Sequence, residues 1–189
     1  MKILMLSGSK NHEGRTAGIL EAVSRGAENA GAETETLFLC DMNLEYCRQC
    51  NPDGWGICRN EGRCVIKDDL QSIVDKIEGS DVVVFATPVY FRDLSEPMKV
   101  FLDRLRRMSC FVQSSPTHGK IAAGICLAGG GGGGSVQAAL NLESTLQMCR
   151  FDVVDSVPVR RQNFEHKLPM FEMTGAWLAT KPSSDSVPR

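Results

Sequence analysis

The sequence predicts an α/β domain built on a doubly wound parallel sheet of five strands. Two observations predict it: apolar runs of strand length alternate with amphipathic helical segments, and three loops of unusual composition fall where strands run into helices. Crossovers in such a sheet are right-handed, and ligands bind beyond the carboxyl ends of its strands. The three loops follow the first, third and fourth strands, so they converge on that binding edge.

Lys2–Leu6 reads as a buried strand, and Thr16–Asn29 as an amphipathic helix ended by Gly31. Thr34–Leu39 alternates polar and apolar residues, the pattern of a less buried edge strand. A cysteine-rich loop, residues 40–64, follows. Asp68 or Asp69 then caps a helix whose apolar face is Leu70, Ile73, Val74 and Ile77. Asp81–Ala86 is a fully buried strand that runs into the loop Thr87–Asp93. Ser95 caps the next helix, which has Pro97 in its first turn and Met98, Phe101, Leu102, Leu105 and Met108 facing inward. Arg104, Arg106 and Arg107 near its end complement the helix dipole. Ile121–Ala128 is the fourth strand; six glycines follow, Gly129 to Gly134, and then a helix from about Ser135 to Met148. Phe151–Val157 is the fifth strand. The tail, residues 158–189, reads as irregular, with a short helix near Met170–Ala179 and a role in oligomer contact. The folded unit is expected over residues 1–157, with no second domain and no internal repeat.

A chain of 189 residues is long enough to bury a substantial core as one such domain. Its formal net charge of −2 argues against nucleic acid or an anionic membrane as the main partner. The apolar start, MKILML, is too short for a signal peptide, and no stretch approaches the ~18 apolar residues of a spanning helix, so a cytoplasmic location is expected. Eight cysteines in that setting point to metal or redox chemistry rather than a disulfide framework. Cys40, Cys126 and Cys149 lie in or beside apolar runs and read as inert core thiols. His12, His118 and His166 share no ligand spacing and read as surface residues.

The first loop runs from Ser7 to Arg15 and offers hydroxyls, free backbone N–H groups and one guanidinium. The helix behind it presents unpartnered N–H groups and the positive end of its dipole, which together suit a phosphate. Capping alone would need neither the loop's length nor Arg15. The loop lacks Gly-Lys-Ser/Thr, so it is no nucleoside-triphosphate loop. Ser9-x5-Arg15-Thr16 is like a phosphatase cradle with serine in place of the nucleophilic cysteine, so phosphate is held there and not transferred. In the second loop, Tyr90 and Phe91 suit either a flat ring pressed against the backbone or packing at a dimer contact. The six glycines suit a backbone that a ligand approaches closely or that moves. Their formal Gly-x-Gly-x-x-Gly match is weak, because Asp152 and Asp155 do not end a second strand as a ribose-binding acid should.

The segments GSKNHEGRT, TPVYF and LAGGGGGG, with EPMKVFLDR between the last two, resemble the NADPH-dependent FMN reductase family of flavodoxin-like proteins. The likeness spans roughly residues 1–157. It implies a flavodoxin-like strand order, 2-1-3-4-5, with Ser7, Ser9, Arg15 and Thr16 on the phosphate of non-covalent FMN. By the same resemblance Pro88, Val89, Tyr90 and Phe91 border the isoalloxazine, with Gly129, Gly130 and Gly131 on another side. Relatives often carry a small residue after the aromatic pair, where this chain has Arg92. NAD(P)H as transient co-substrate, a small-molecule electron acceptor and a homodimer or homotetramer are further implications. The flavin carries such chemistry, so no catalytic side chain is assigned.

Cys47-x2-Cys50-x7-Cys58-x5-Cys64 looks like the compact cysteine motif of iron–sulfur flavoproteins, a branch of the same superfamily. Four converging thiolates at such spacing can hold a [4Fe–4S] cluster. The longer gap carries two turn signals, Asn51-Pro52 and Asp53-Gly54, that can fold it back. A structural zinc and metal-free thiols are the alternatives, the zinc being less apt without two CxxC arms. The principal expectation is an FMN-binding oxidoreductase that uses NAD(P)H to reduce a flavin or small acceptor. The alternative is an iron–sulfur flavoprotein that carries single electrons between a [4Fe–4S] cluster and FMN. A third reading is a redox-sensing module signalling through thiol oxidation in the cysteine loop.

Overall fold

Successive residues of a strand point to opposite faces, and in β1 (Lys2–Ser7) both faces are apolar, which fits a strand covered on two sides. In the computed structural model, which describes residues 1–181, Leu4 and Leu6 join one buried cluster while Ile3 and Met5 join the other. The same division runs through β3 (Val82–Tyr90), where Val83 and Phe85 face one way and Val82 and Val84 the other. Helices α3 (Leu70–Glu78), α4 (Glu96–Ser109) and α5 (Ser135–Met148) cover the first face. Helices α1 (Arg15–Asn29) and α6 (Phe164–Leu178) cover the second. Each large apolar side chain removed from water in these layers contributes about 1.5–3 kcal/mol.

The remaining strands are β2 (Glu33–Phe38), β4 (Asp93–Leu94), β5 (Ile121–Ala128) and β6 (Asp152–Arg160). Five strands pair in parallel in the order β2-β1-β3-β5-β6, and β4 is a two-residue antiparallel addition to the end of β3. Apart from β4, this is the expected flavodoxin-like order. β2 pairs only with β1, in keeping with its polar alternation. Among the described residues no helix is long and apolar enough to cross a membrane.

The tail departs from expectation. The last strand continues past Val157 to Arg160, and α6 spans fifteen residues, starting at Phe164, instead of the short helix expected near Met170–Ala179. Pro158 is accommodated because β6 is an edge strand, where a missing N–H costs little. α6 docks tightly on α1 through two glycines. A Cβ on Gly26 would lie 1.8 Å from the Glu172 carbonyl oxygen, and one on Gly175 would lie 2.0 Å from that of Val23. Residues 158–181 thus belong to the folded layer; the rest of the expected tail lies outside the described residues.

Candidate functional site

The first loop leaves β1 beside the end of β3, where the Gly8 N–H donates to the Ala86 carbonyl at 2.8 Å. Only glycine fits at position 8, since a Cβ would sit 2.5 Å from Ser95 Oγ and 2.9 Å from Thr87 Oγ1. Ser95 was expected to cap α4, and it occupies the N-cap position. Its hydroxyl instead donates to the Gly8 carbonyl at 2.7 Å, tying α4 to the loop. Further on, the Ser9 N–H donates to Ser7 Oγ, the Asn11 N–H to Ser9 Oγ and the Glu13 N–H to Asn11 Oδ1. This chain of side-chain acceptors coils the loop and delivers it to α1, one residue earlier than expected. No side chain caps α1, and no acidic residue lies in its first turn. Its positive end therefore opens to an incoming anion, with Arg15 alongside and its guanidinium 6.0 Å from the Phe164 ring centroid.

The expected Thr87–Asp93 loop is instead a tight hairpin: Val89 pairs with Leu94 and Tyr90 with Asp93. Phe91 and Arg92 form its two-residue turn with φ of 50° and 69°. Both central residues of such a turn need positive φ, a place ordinarily taken by Asn-Gly. A left-handed conformation at two non-glycine residues costs about 1–2 kcal/mol each, and Phe91 recovers none of it by burial, since its ring is fully exposed. The glycine loop forms the third wall. Gln162 Nε2 donates to the Gly131 carbonyl at 3.1 Å, and a Cβ on Gly134 (φ 85°) would meet Arg92 Cα at 2.8 Å. A Cβ on Gly129, Gly130 or Gly131 would meet nothing within 4 Å, so no internal packing demands glycine there.

Together these walls enclose a cleft of about 470 Å³ lined by Ser9, Arg15, Thr16, Pro88, Val89, Tyr90 and Gly129–Gly131, all of them expected. It is of a size for a cofactor. Two expected residues lie off the wall. Ser7 is fully buried and serves the loop through Ser9, and Phe91 projects away into solvent. Asn11 and Gln162 were missed by the sequence reading, because a loop's internal hydrogen bonds leave no pattern in spacing. The donor set fits FMN: a helix N-terminus, hydroxyls and a guanidinium for the phosphate, apolar walls for the ring, and a glycine edge that packing within the protein leaves open.

The four clustered cysteines form a second site. Asn51 and Gly54 close the expected turn (N–H to carbonyl, 2.8 Å), with Gly54 at φ 79°, and a short helix α2 (Cys58–Glu61) follows. Cys47, Cys50, Cys58 and Cys64 then line one pocket with Arg104, Arg107 and Met108 of α4. Arg104 does more than complement the helix dipole as expected, for its side chain is only 2% exposed. It grips the fully buried Asp68 carboxylate with both terminal nitrogens. It also donates to the Glu45 carbonyl at 2.9 Å and to Cys64 Sγ at 3.3 Å. Asp68 further accepts from the N–H groups of Glu45 and Leu70. Burial pushes the Asp68 carboxyl up, but Arg104 and the Glu45 and Leu70 N–H groups outweigh it and hold it below the ordinary carboxylate range. The ion pair thus pins both ends of the cysteine loop to α4. Two further donors, Nε of Arg104 and Nε of Arg107, are buried without a partner among the described residues. Four cysteines and two unmet cationic donors on one pocket have the chemistry of a site for an anionic, thiolate-ligated group such as [4Fe–4S], although the space they enclose here is only about 20 Å³.

The two sites are joined by Glu96 at the start of α4, which accepts from Lys10 of the first loop at 3.0 Å and from the Tyr46 hydroxyl at 2.8 Å. A neighbouring cavity of about 510 Å³ is bordered by Cys40, His12 and Asp41. Here Cys40, read as a core thiol, is only half-buried, and His12 Nε2 lies 2.9 Å from Asp41 Oδ2. Burial and the adjacent Asp41 raise the Cys40 thiol above its usual value. Cys126 and Cys149 are core thiols as expected, each pushed up to about 12 chiefly by desolvation.

The family model of NADPH-dependent FMN reductases matches residues 1–165. An iron-sulfur flavoprotein of Methanocaldococcus jannaschii is 33% identical over 131 residues, covering 69% of this chain and 65% of that protein. One from Methanosarcina thermophila is 31% identical over 137 residues, 71% of this chain and 66% of its own length. The chain therefore spans just under two thirds of these relatives. Among solved structures, an NAD(P)H:quinone oxidoreductase from Methanothermobacter marburgensis superposes with a TM-score of 0.72 at 19% identity, over 94% of this chain and 96% of that one. That likeness shows the flavodoxin-like fold. By the match of its family model, the chain belongs to the NADPH-dependent FMN reductase family.

Proposed function

We propose that this member of the family is an FMN-binding oxidoreductase whose Cys47, Cys50, Cys58 and Cys64 hold a [4Fe–4S] cluster, so that single electrons pass between cluster and flavin. The observation that carries the reading is the convergence of all four cysteines on one pocket beside two buried, unpartnered guanidinium donors. Bound FMN supplies chemistry in one- and two-electron steps, and the cluster supplies one-electron exchange. The chain's own residues anchor and orient. Ser9, Thr16, Arg15 and the α1 N-terminus hold the phosphate, while Pro88, Val89 and Tyr90 border the ring opposite the Gly129–Gly131 edge. α4 spans the two sites: Ser95 at its start is bonded to Gly8, and Arg104 lies nine residues, about 14 Å of helix rise, further along. The names of the two archaeal relatives support the same reading.

A second reading is favoured by the open glycine edge of the cleft: NAD(P)H docks there and reduces the flavin by hydride transfer, and a small-molecule acceptor then discharges it. A homodimer or homotetramer in the cytoplasm completes both readings, with the exposed Phe91 at a subunit contact. The test is anaerobic mixing of the FMN-loaded protein with NADPH or NADH while flavin absorbance is followed. Rapid bleaching establishes the hydride-driven reductase. Flavin that neither nucleotide bleaches, but that the pre-reduced cluster of the same protein does, establishes the electron carrier. Flavin inert to all three would overturn both.

A further inference from the structure

A buried arginine that only clipped a loop in place would need its carboxylate and nothing more. Arg104 has that partner in Asp68, yet Nη2 also donates to Cys64 Sγ at 3.3 Å, and Nε stays buried and unmatched. One turn on, Arg107 repeats the pattern: its guanidinium lies 4.3 Å from the Trp55 ring centroid, and its Nε is likewise buried without a partner among the described residues. Both side chains line the pocket of the four cysteines. Buried N–H groups are rarely left unmet, so donors stranded at a pocket wall mark where an acceptor belongs.

We propose that Arg104, assisted by Arg107, is a positioning residue for the cysteine-held centre: it orients Cys64 by donating to its sulfur and raises the centre's reduction potential. The inference rests on the cluster reading given above. Uptake of one electron makes the centre one unit more negative. A fixed guanidinium and N–H donors at the sulfurs therefore stabilise the reduced form more than the oxidised one. Asp68 Oδ1 accepts from the same Nη2 and offsets the charge of Arg104, so the effect comes from the N–H donated to Cys64 Sγ and from the second guanidinium, Arg107. Trp55 over Arg107 keeps the second guanidinium from swinging into solvent.

The test is a mediator-coupled redox titration of the iron-loaded protein, followed by electron paramagnetic resonance of the reduced centre, with iron content measured on each sample. Arg104→Met should shift the one-electron equilibrium about tenfold towards the oxidised form, a potential lower by about 59 mV. Arg104→Lys, which keeps the charge without the fork, should fall between the two. Arg107→Gln should give a smaller shift of the same sign, and it decides the matter if the Arg104 variants fail to fold. Loaded variants with the parent's potential and resonance would overturn the inference alone. A parent that takes up no iron would overturn the cluster reading, and this inference with it.

Discussion

Replacing Asp68 by alanine should free the cysteine loop from the body of the protein. The side chains of Asp68 and Arg104 are 0% and 2% exposed, so the substitution strands a guanidinium with almost no access to water. Removing one partner of a buried pair costs about 3–5 kcal/mol. The Glu45 and Leu70 N–H groups lose their acceptor as well. For a domain of this size that loss corresponds to a melting temperature lower by about 6–20 °C if the whole fold reports it. The loop is held mainly at its two ends by this pair, so opening should be local first. Hydrogen exchange read by mass spectrometry should show peptides from residues 45–69 losing protection while β1, β3 and β5 keep theirs. Asp68→Asn, which retains acceptors but no charge, should fall between alanine and the parent. The same opening should appear in the parent in acid. The folded-state value of Asp68 is depressed, so its contribution is present above its unfolded value of about 3.9 and is lost as pH falls through the folded one. A melting temperature within about 2 °C of the parent, with the loop still protected, would refute the reasoning.

Gly175→Ala should displace α6, because the new methyl would fall 2.0 Å from the Val23 carbonyl oxygen; the cost is about 1.5–3 kcal/mol for each of Phe171 and Leu178 exposed, measured by urea unfolding. An Arg15→Ala, Thr16→Ala double variant should release FMN more readily, by roughly two to four orders of magnitude in dissociation constant, since hydrogen bonds to a charged group contribute about 1.5–3 kcal/mol each; fluorescence titration with FMN reads the change, and equal affinity would sink the phosphate assignment. Iodoacetamide near neutral pH should leave Cys126 and Cys149 unmodified in the folded, metal-free protein, both being buried and pushed up to about 12, while exposed Cys50 reacts there and is protected once the cluster is loaded; peptide mapping reads the pattern.

The sheet was legible because its strands are apolar on both faces and its helices on one, a contrast that survives without any contact information. The binding edge was legible for a related reason: hydroxyls and an arginine gathered after strands, and the glycines Gly129–Gly131, have no packing purpose. The tail from Pro158 onward was not and was expected to be irregular, yet an edge strand tolerates Pro158 and α6 accommodates Pro169. Phe91-Arg92 hid a hairpin turn because its usual signature is Asn-Gly. Arg104 was the most consequential miss. Three residues after Phe101 and four before Met108, its spacing placed it on the inward face of α4, but its charge argued for solvent. Only the position of Asp68, thirty-six residues earlier in the chain, resolves that conflict, and sequence spacing does not reveal such a pairing.

The measurement that tests the account most directly is an ultraviolet–visible spectrum of protein purified without oxygen, with FMN, iron and zinc assayed on the same sample. The account predicts flavin bands over a broad shoulder, one FMN and about four irons per chain. Flavin with no iron, or with zinc alone, would contradict the cluster in the Cys47–Cys64 pocket. A protein that stays free of flavin even after FMN is added would contradict the cleft assignment on which the whole account stands.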